Sequence, residues 1–373
     1  MKLTKPLFIL VTVLAISSCT KIYKKPETAV TIKEAYKENF YIGTALSQSQ
    51  IEEKDPMVTA LISKEFNSIT PENIMKSMFT HPEQDRFDFK LSDKYVAFGE
   101  KHNMFIHGHT LIWHSQLAPW MAQIKDSTAM ADMMTNHITT IVSKYKGRIN
   151  SWDVVNEALN EDGTLRKSVF LNSYGKDFLT LAFKLAAKAD PKTDLYYNDY
   201  NLCNAKKRKG AVDMIKNLQK NGAKIDGVGE QGHWNLTSPS LDEIEQTILD
   251  FSALGIKVAF TELDITVLPS PWDVVGADVN QKSEANEKMN PYPKVLPDSV
   301  QQQLAARYEA IFKLFLKHQD KISRVTLWGV NDGQSWLNDW PIRGRTNYPL
   351  LFDREFKPKE AYTSVLKLKE AKK

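Results

Sequence analysis

A chain of 373 residues, 42% apolar and 10% aromatic, can bury a large core and is neither disordered nor fibrous. Its 49 Lys and Arg against 45 Asp and Glu leave a net +4 that is scattered along the sequence. No basic block with interleaved aromatics forms, so a nucleic-acid partner is not expected.

The N-terminus comes first. Met1-Lys2-Leu3-Thr4-Lys5 is a basic start, residues 7–16 are an apolar run of ten, and Ser17-Ser18 leads up to Cys19. That run is too short to span a hydrocarbon core of about 30 Å, so residues 1–18 read as a cleaved export signal. The SSC ending resembles a bacterial lipobox, which implies lipidation at Cys19 and an anchor in a membrane. The alternative is a plain signal peptide with Cys19 incidental. On either reading the mature chain is exported, to the periplasm or the cell surface, and residues 19–31 are a short tether. Cys203 is then left without an internal disulfide partner, and stability must come from the core.

Beyond the tether, β-rich runs alternate with amphipathic ones. Strands are expected at 41–46, 68–70, 105–112, 151–156, 195–198, 227–231, 258–265 and 325–330. Helical periodicity of three and four is clearest at 176–189, 241–254 and 299–317. Eight strands each followed by a helical stretch predict an α/β fold, a (β/α)8 TIM barrel as a single catalytic domain from 32 to 373. One long connection, 268–297, is rich in Pro and Asn, and a loop of that length is expected to be functional or mobile.

A barrel of this kind carries its chemistry at the C-terminal ends of its strands. Asn73 follows the second strand, His109 and Trp113 the third, Asn156 and Glu157 end the fourth, and Tyr200 follows the fifth. Gln231 and His233 end the sixth, Glu262 and Asp264 lie in the seventh, and Trp328 and Trp336 are at or beyond the eighth. Glu157 and Glu262 stand 105 positions apart, roughly three β/α units, on nearly opposite sides of the barrel mouth. A pair of carboxyl groups, one protonating a leaving oxygen and the other facing a sugar carbon, is what glycosidic cleavage requires. Two unrelated surface glutamates are the bland alternative. It sits badly with Glu262, which lies in the apolar run VAFTELDI, where an idle charge is costly.

Strand alternation places Glu262, Asp264 and Phe260 on one face, with Leu263 and Ile265 on the other. Two adjacent carboxylates repel, and His233 at the end of the neighbouring strand can relieve them. A Glu262–His233–Asp264 chain is therefore expected, against a merely structural His233.

ITPENIMK (69–76), HGHTLIWHSQL (107–117), WDVVNEAL (152–159), YYNDYN (196–201), VGEQGHW (228–234), TELDI (261–265) and WGVNDGQSW (328–336) together resemble glycoside hydrolase family 10, the endo-β-1,4-xylanases, from about residue 35 to 365. The resemblance implies hydrolysis of internal β-1,4-xylosidic bonds of xylan and xylo-oligosaccharides, with retention of configuration through a covalent intermediate. Glu157 would be the acid/base and Glu262 the nucleophile. Asn156 would bind the 2-hydroxyl of the sugar being cleaved, which needs a bend after the strand so that both neighbours reach one sugar. Gln231 and His233 would support the same subsite. His109, Trp113 and Trp328 would wall it, with a cis peptide between His109 and Thr110, and Trp336 would close over it. Glu72, Asn73, Lys76 and Gln116 would hold the next sugar on the non-reducing side, and Tyr200 would face the leaving group. Trp336 would also exclude gluco-chains by clashing with their hydroxymethyl groups.

Leu337 stands where many relatives carry Arg, which leaves the roof of the cleft open to question, and Trp272 or Tyr292 could stack on sugars from the long loop. Trp120 and Trp152 read as core. No cofactor and no metal are expected: His107, His109 and His114 cluster without a carboxylate or HExxH spacing, and no GxSxG elbow occurs. A monomer is expected. Two alternatives stay open: a β-1,4-glucanase on the same barrel, and a lipoprotein that captures xylan fragments without cleaving them.

Overall fold

Eight parallel strands close on themselves in this computed structural model, which describes residues 30–271, 279–284 and 287–370. They are β1 (Tyr41–Leu46), β2 (Ser68–Pro71), β3 (Phe105–Gly108), β4 (Ser151–Asn156), β5 (Asp194–Asp199), β6 (Gly227–Glu230), β7 (Lys257–Thr266) and β8 (Ile322–Leu327). Each pairs with the next, and β8 returns to β1 through Tyr41 opposite Arg324. Helices cover the outside, so the α/β expectation of a (β/α)8 TIM barrel holds. The stretch expected to be an export signal, Cys19 and Trp272 lie outside the described residues.

The helices begin where capping chemistry tells them to. Ser240 accepts from the Glu243 amide while Glu243 reaches back to the Ser240 amide, a reciprocal cap that starts Leu241–Ser252. From there Ile244, Thr247, Ile248 and Phe251 recur at three and four and are buried against the barrel. Asp298–Lys317 does the same with Leu304, Tyr308, Ile311, Phe312 and Phe315.

Two expectations need correction. The third strand stops at Gly108 instead of running to residue 112. The Trp152 indole crosses so close that a Cβ at Gly108 would lie 2.2 Å from it. The next peptide, His109–Thr110, is cis, and the chain rejoins the sheet as Ile112–Trp113 beside β4. Trp152 itself is core.

The second concerns β7. Phe260 does not share a face with Glu262 and Asp264; it stacks on Phe315 in the helical layer, with ring centroids 4.0 Å apart. The register explains this: Val325 faces Phe260 but Leu327 faces Leu263, so β7 carries one extra residue between them. Such a bulge resets the alternation and turns both Thr261 and Glu262 inward.

Candidate active site

The C-terminal ends of the strands surround a cleft of about 540 Å³. β4 delivers Asn156 and Glu157 into it. An ideal strand would send them to opposite faces, but Glu157 takes a left-handed backbone, φ 55°, which supplies the expected bend. Its amide donates to the Asn198 carbonyl at 2.9 Å, holding the turn against β5. The residue is 5% exposed. Oε2 accepts from Trp113 Nε1 at 2.9 Å, and Oε1 accepts from Gln231 Nε2 at 3.0 Å and Asn156 Nδ2 at 3.3 Å. Burial, joined by the negative charge of Asp199, pushes its pKa up to about 7 in spite of these donors.

Across the cleft Glu262 has different company. Oε1 accepts from Asn198 Nδ2 at 3.0 Å, and Oε2 lies 3.2 Å from His233 Nε2. His233 Nδ1 is 2.9 Å from Asp264 Oδ1, so the expected chain of carboxylate, imidazole and carboxylate is formed. Burial alone would lower the His233 pKa. The Asp264 and Glu262 carboxylates outweigh it and hold the imidazolium to about 10. A protonated ring donates from both nitrogens, which fixes both carboxylates as acceptors. Asp264 Oδ2 also accepts from Trp336 Nε1 at 2.8 Å, so one carboxylate orients both the histidine and the roof.

The remaining walls come from three loops. Glu72, Asn73 and Lys76 follow β2, with Lys76 Nζ donating to Asn73 Oδ1 at 2.9 Å and lying 4.7 Å from the Trp113 ring centre. Burial lowers the Lys76 pKa to about 8, opposed by Glu262, Glu72 and Glu157; burial also raises that of Glu72. Gln116, His109 and Trp328 complete the lining. His109 Nδ1 contacts Asp153 Oδ2 at 2.9 Å, and His107 Nε2 contacts the same oxygen at 2.9 Å. Burial would raise the Asp153 pKa, but these two histidines hold it well below the usual carboxylate range.

Trp336 stacks on Trp340 at 4.5 Å, and Leu337 turns away into the core, so the roof is a doubled indole. The long loop reaches the cleft through Val279 and is stitched to the roof loop, with the Ser283 amide donating to Pro341 O at 3.0 Å. Tyr292 does not line the cleft; it is half-buried against the core, and its carbonyl accepts from the Tyr348 hydroxyl at 2.9 Å.

Among the substrate contacts expected at the strand ends, Tyr200 does not line the cleft. It is buried behind Glu157, its hydroxyl accepting from Arg166 Nη2 at 2.7 Å and its ring lying 3.7 Å from Lys207 Nζ. Conversely, nothing in the sequence pattern marks Asp153 or Val279, and Asn198 is marked only by its place. Asn198 sits in the quoted YYNDYN stretch near the end of β5, and that position was its only signal.

The arrangement pairs a carboxyl that keeps its proton near neutrality with a carboxylate held by an imidazolium and an amide. One can donate to a leaving oxygen while the other attacks or stabilises the carbon it leaves.

Comparison with known proteins agrees with this geometry. Residues 31–368 match Glycosyl hydrolase family 10. Endo-1,4-beta-xylanase A of Xylanibacter ruminicola is 43% identical over 345 residues, covering 91% of this chain and 94% of that one. A GH10 endoxylanase structure retrieved from a sugarcane soil metagenome superposes with a TM-score of 0.87 at 48% identity, covering 90% of this chain and 99% of the other. Xylanase 10B of Thermotoga petrophila, solved with xylobiose, gives a TM-score of 0.81 at 31% identity over 92% of this chain and 98% of its own. The chain belongs to Glycosyl hydrolase family 10.

Proposed function

We propose that the protein is an endo-1,4-β-xylanase that cleaves internal bonds of xylan and xylo-oligosaccharides with retention of configuration. The observation that carries this is the unequal pair of glutamates in one indole-walled cleft. Glu157 protonates the leaving oxygen and later activates water; Glu262 attacks the anomeric carbon and forms the glycosyl intermediate. Asn156, beside Glu157, binds the 2-hydroxyl of the sugar under attack. The Trp336–Trp340 roof favours xylose, which lacks the hydroxymethyl group of glucose. Glu72, Asn73, Lys76 and Gln116 hold the neighbouring sugar.

The test is stereochemical. Proton NMR of the first product released from a xylo-oligosaccharide should show the β-anomer; an initial α-anomer would mean inversion and a different role for Glu262. Rates on xylan should far exceed those on soluble cellulose. The export signal and Cys19 lead us to place the enzyme outside the cytoplasm as a monomer on a lipid anchor. Mass spectrometry of the mature N-terminus tests this, and an unmodified terminus elsewhere would refute it.

A further inference from the structure

Next to Glu157 on the neighbouring strand, and outside the lining of the cleft, lies a buried ionic cluster that the mechanism above does not use. Asp199 ends β5 and is fully buried. Its Oδ1 accepts from the Tyr200 amide at 2.9 Å and from Lys207 Nζ at 2.9 Å, and its Oδ2 accepts from the Tyr197 hydroxyl. That hydroxyl in turn accepts from the Ala158 amide at 3.1 Å, immediately after Glu157. Lys207 is fully buried too, and is shared: its ammonium also reaches Glu161 Oε1 at 3.0 Å. Burial raises the Asp199 pKa, and its three donors with the Lys207 charge oppose that rise; half of this cation belongs to Glu161, so Lys207 does not fully cancel the Asp199 carboxylate.

We propose that Asp199, kept charged by Lys207, is a positioning residue that sets how firmly Glu157 holds its proton, and so the highest pH at which the enzyme can protonate a leaving group. This rests on the reading of Glu157 as the acid. A catalytic acid needs high proton affinity near its working pH, and a buried like charge supplies it without touching substrate. The other charged groups around Glu157 do not do this work alone. Glu262 also faces it across the cleft and raises it, but less than Asp199 does, and it too shares its cation, His233, with a second carboxylate, Asp264. Lys76 and Arg166 are cations and favour the ionised form. Glu230, beside Asp199 in the sheet, is itself pushed up to about 7 by burial and is mostly uncharged below that pH. Asp199 is the charged neighbour second only to burial in raising Glu157.

The experiment is the pH profile of kcat/KM on xylotetraose for the wild type, Asp199→Asn and Tyr197→Phe. Asp199→Asn removes the charge and should move the alkaline limb down by about one pH unit. Tyr197→Phe disturbs the same packing and removes one donor from Asp199, but leaves it the Lys207 ammonium and the Tyr200 amide, so the carboxylate stays charged and the limb should stay where the wild type's is. If Asp199→Asn leaves the limb in place, or if both variants shift it equally, the proposal is overturned. Asp199→Ser serves as the second neutral variant if the Asn variant does not fold, and the same shift is required of it. An aryl xylobioside with an activated leaving group separates this from the underlying reading. The alkaline limb should vanish on that substrate. If it persists in the wild type, Glu157 is not the acid; if it vanishes while Asp199→Asn leaves the xylotetraose limb unmoved, only the role of Asp199 falls.

Discussion

The two sides of the cleft present the same side chain in opposite surroundings. Glu157 is backed by an anion and by burial, and its pKa rises to about 7. Glu262 is backed by an imidazolium whose own pKa rises to about 10, and by the Asn198 amide. Nothing in the two carboxyl groups themselves decides which donates and which attacks. Their neighbours do, and those neighbours arrive from different strands: Asp199 from β5 for one, and Asp264 with the His233 segment beside β7 for the other.

The comparison breaks most visibly when each glutamate is removed. Glu262→Ala should lower activity by on the order of 10⁵-fold on xylan and on activated aryl xylobiosides alike, because the covalent step is lost for every substrate. Azide attacking the vacated face should give the α-glycosyl azide. Glu157→Ala should lose roughly 10²- to 10⁴-fold on xylan but retain far more of the glycosylation step on an activated aryl substrate, whose leaving group departs without a proton. The intermediate should accumulate, and azide should release it as the β-glycosyl azide. Exchange of the two behaviours would reverse the roles, and two fully active variants would mean that neither glutamate is catalytic.

The asymmetry also predicts a pH-dependent stability. A carboxyl held to about 7 against an ordinary 4.5 binds more protons in the folded state between those values. Its contribution to stability is therefore greatest below about 4.5 and falls as pH rises towards 7. His233, raised to about 10, contributes stability that is fully present below its ordinary 6.5 and is lost as pH rises through 10. Buried Glu230 slopes the same way as Glu157, while His107, lowered to about 4 by burial and by the Arg324 charge, slopes the opposite way. Subtracting the profile of Glu157→Gln from that of the wild type cancels the last two. The difference should develop between pH 4.5 and 7 and reach on the order of 3 kcal/mol, a shift of several degrees in Tm. A flat difference would show that Glu157 ionises as a solvent-exposed glutamate does.

Much of this was legible because strand ends carry the chemistry: the barrel, both glutamates, and the His233–Asp264 pair follow from position and alternation. What was not legible came from irregular backbone. The alternation rule fails for Phe260 because a bulge in β7 is invisible in the run VAFTELDI. The third strand reads longer in the sequence than it is because Gly108 looks like an ordinary small residue until the Trp152 ring is seen across it. The motif points Tyr200 to the leaving-group side of the cleft, yet Asn201 beyond it takes φ 56° and the Tyr200 ring lies against Lys207. Asp199 could not be weighed at all, since its effect on Glu157 depends on a lysine eight positions on, carried in by the helix Ala205–Lys220.

The smallest effect sharpens the comparison from the Glu262 side. Gly229 lies on β6 opposite Asn198, and a Cβ there would fall 2.2 Å from Asn198 Oδ1 and 2.8 Å from Thr261 Cγ2. Only a glycine lets Asn198 lie flat across β6 with Oδ1 accepting from Thr261 Oγ1 at 2.6 Å, which turns its Nδ2 towards Glu262. Gly229→Ala must push Asn198 aside, so Glu262 loses one donor while His233 still holds the other oxygen. The loss of one hydrogen bond to a charged group is worth about 1.5 kcal/mol or somewhat more, roughly tenfold in rate. Because the nucleophile acts on every substrate, that loss should be equal on xylotetraose and on an activated aryl xylobioside. The alkaline limb, set by Glu157 and Asp199, should not move. A loss confined to xylotetraose would mean that Asn198 serves the acid through its contact with Asn156 Oδ1 at 3.0 Å and not the nucleophile.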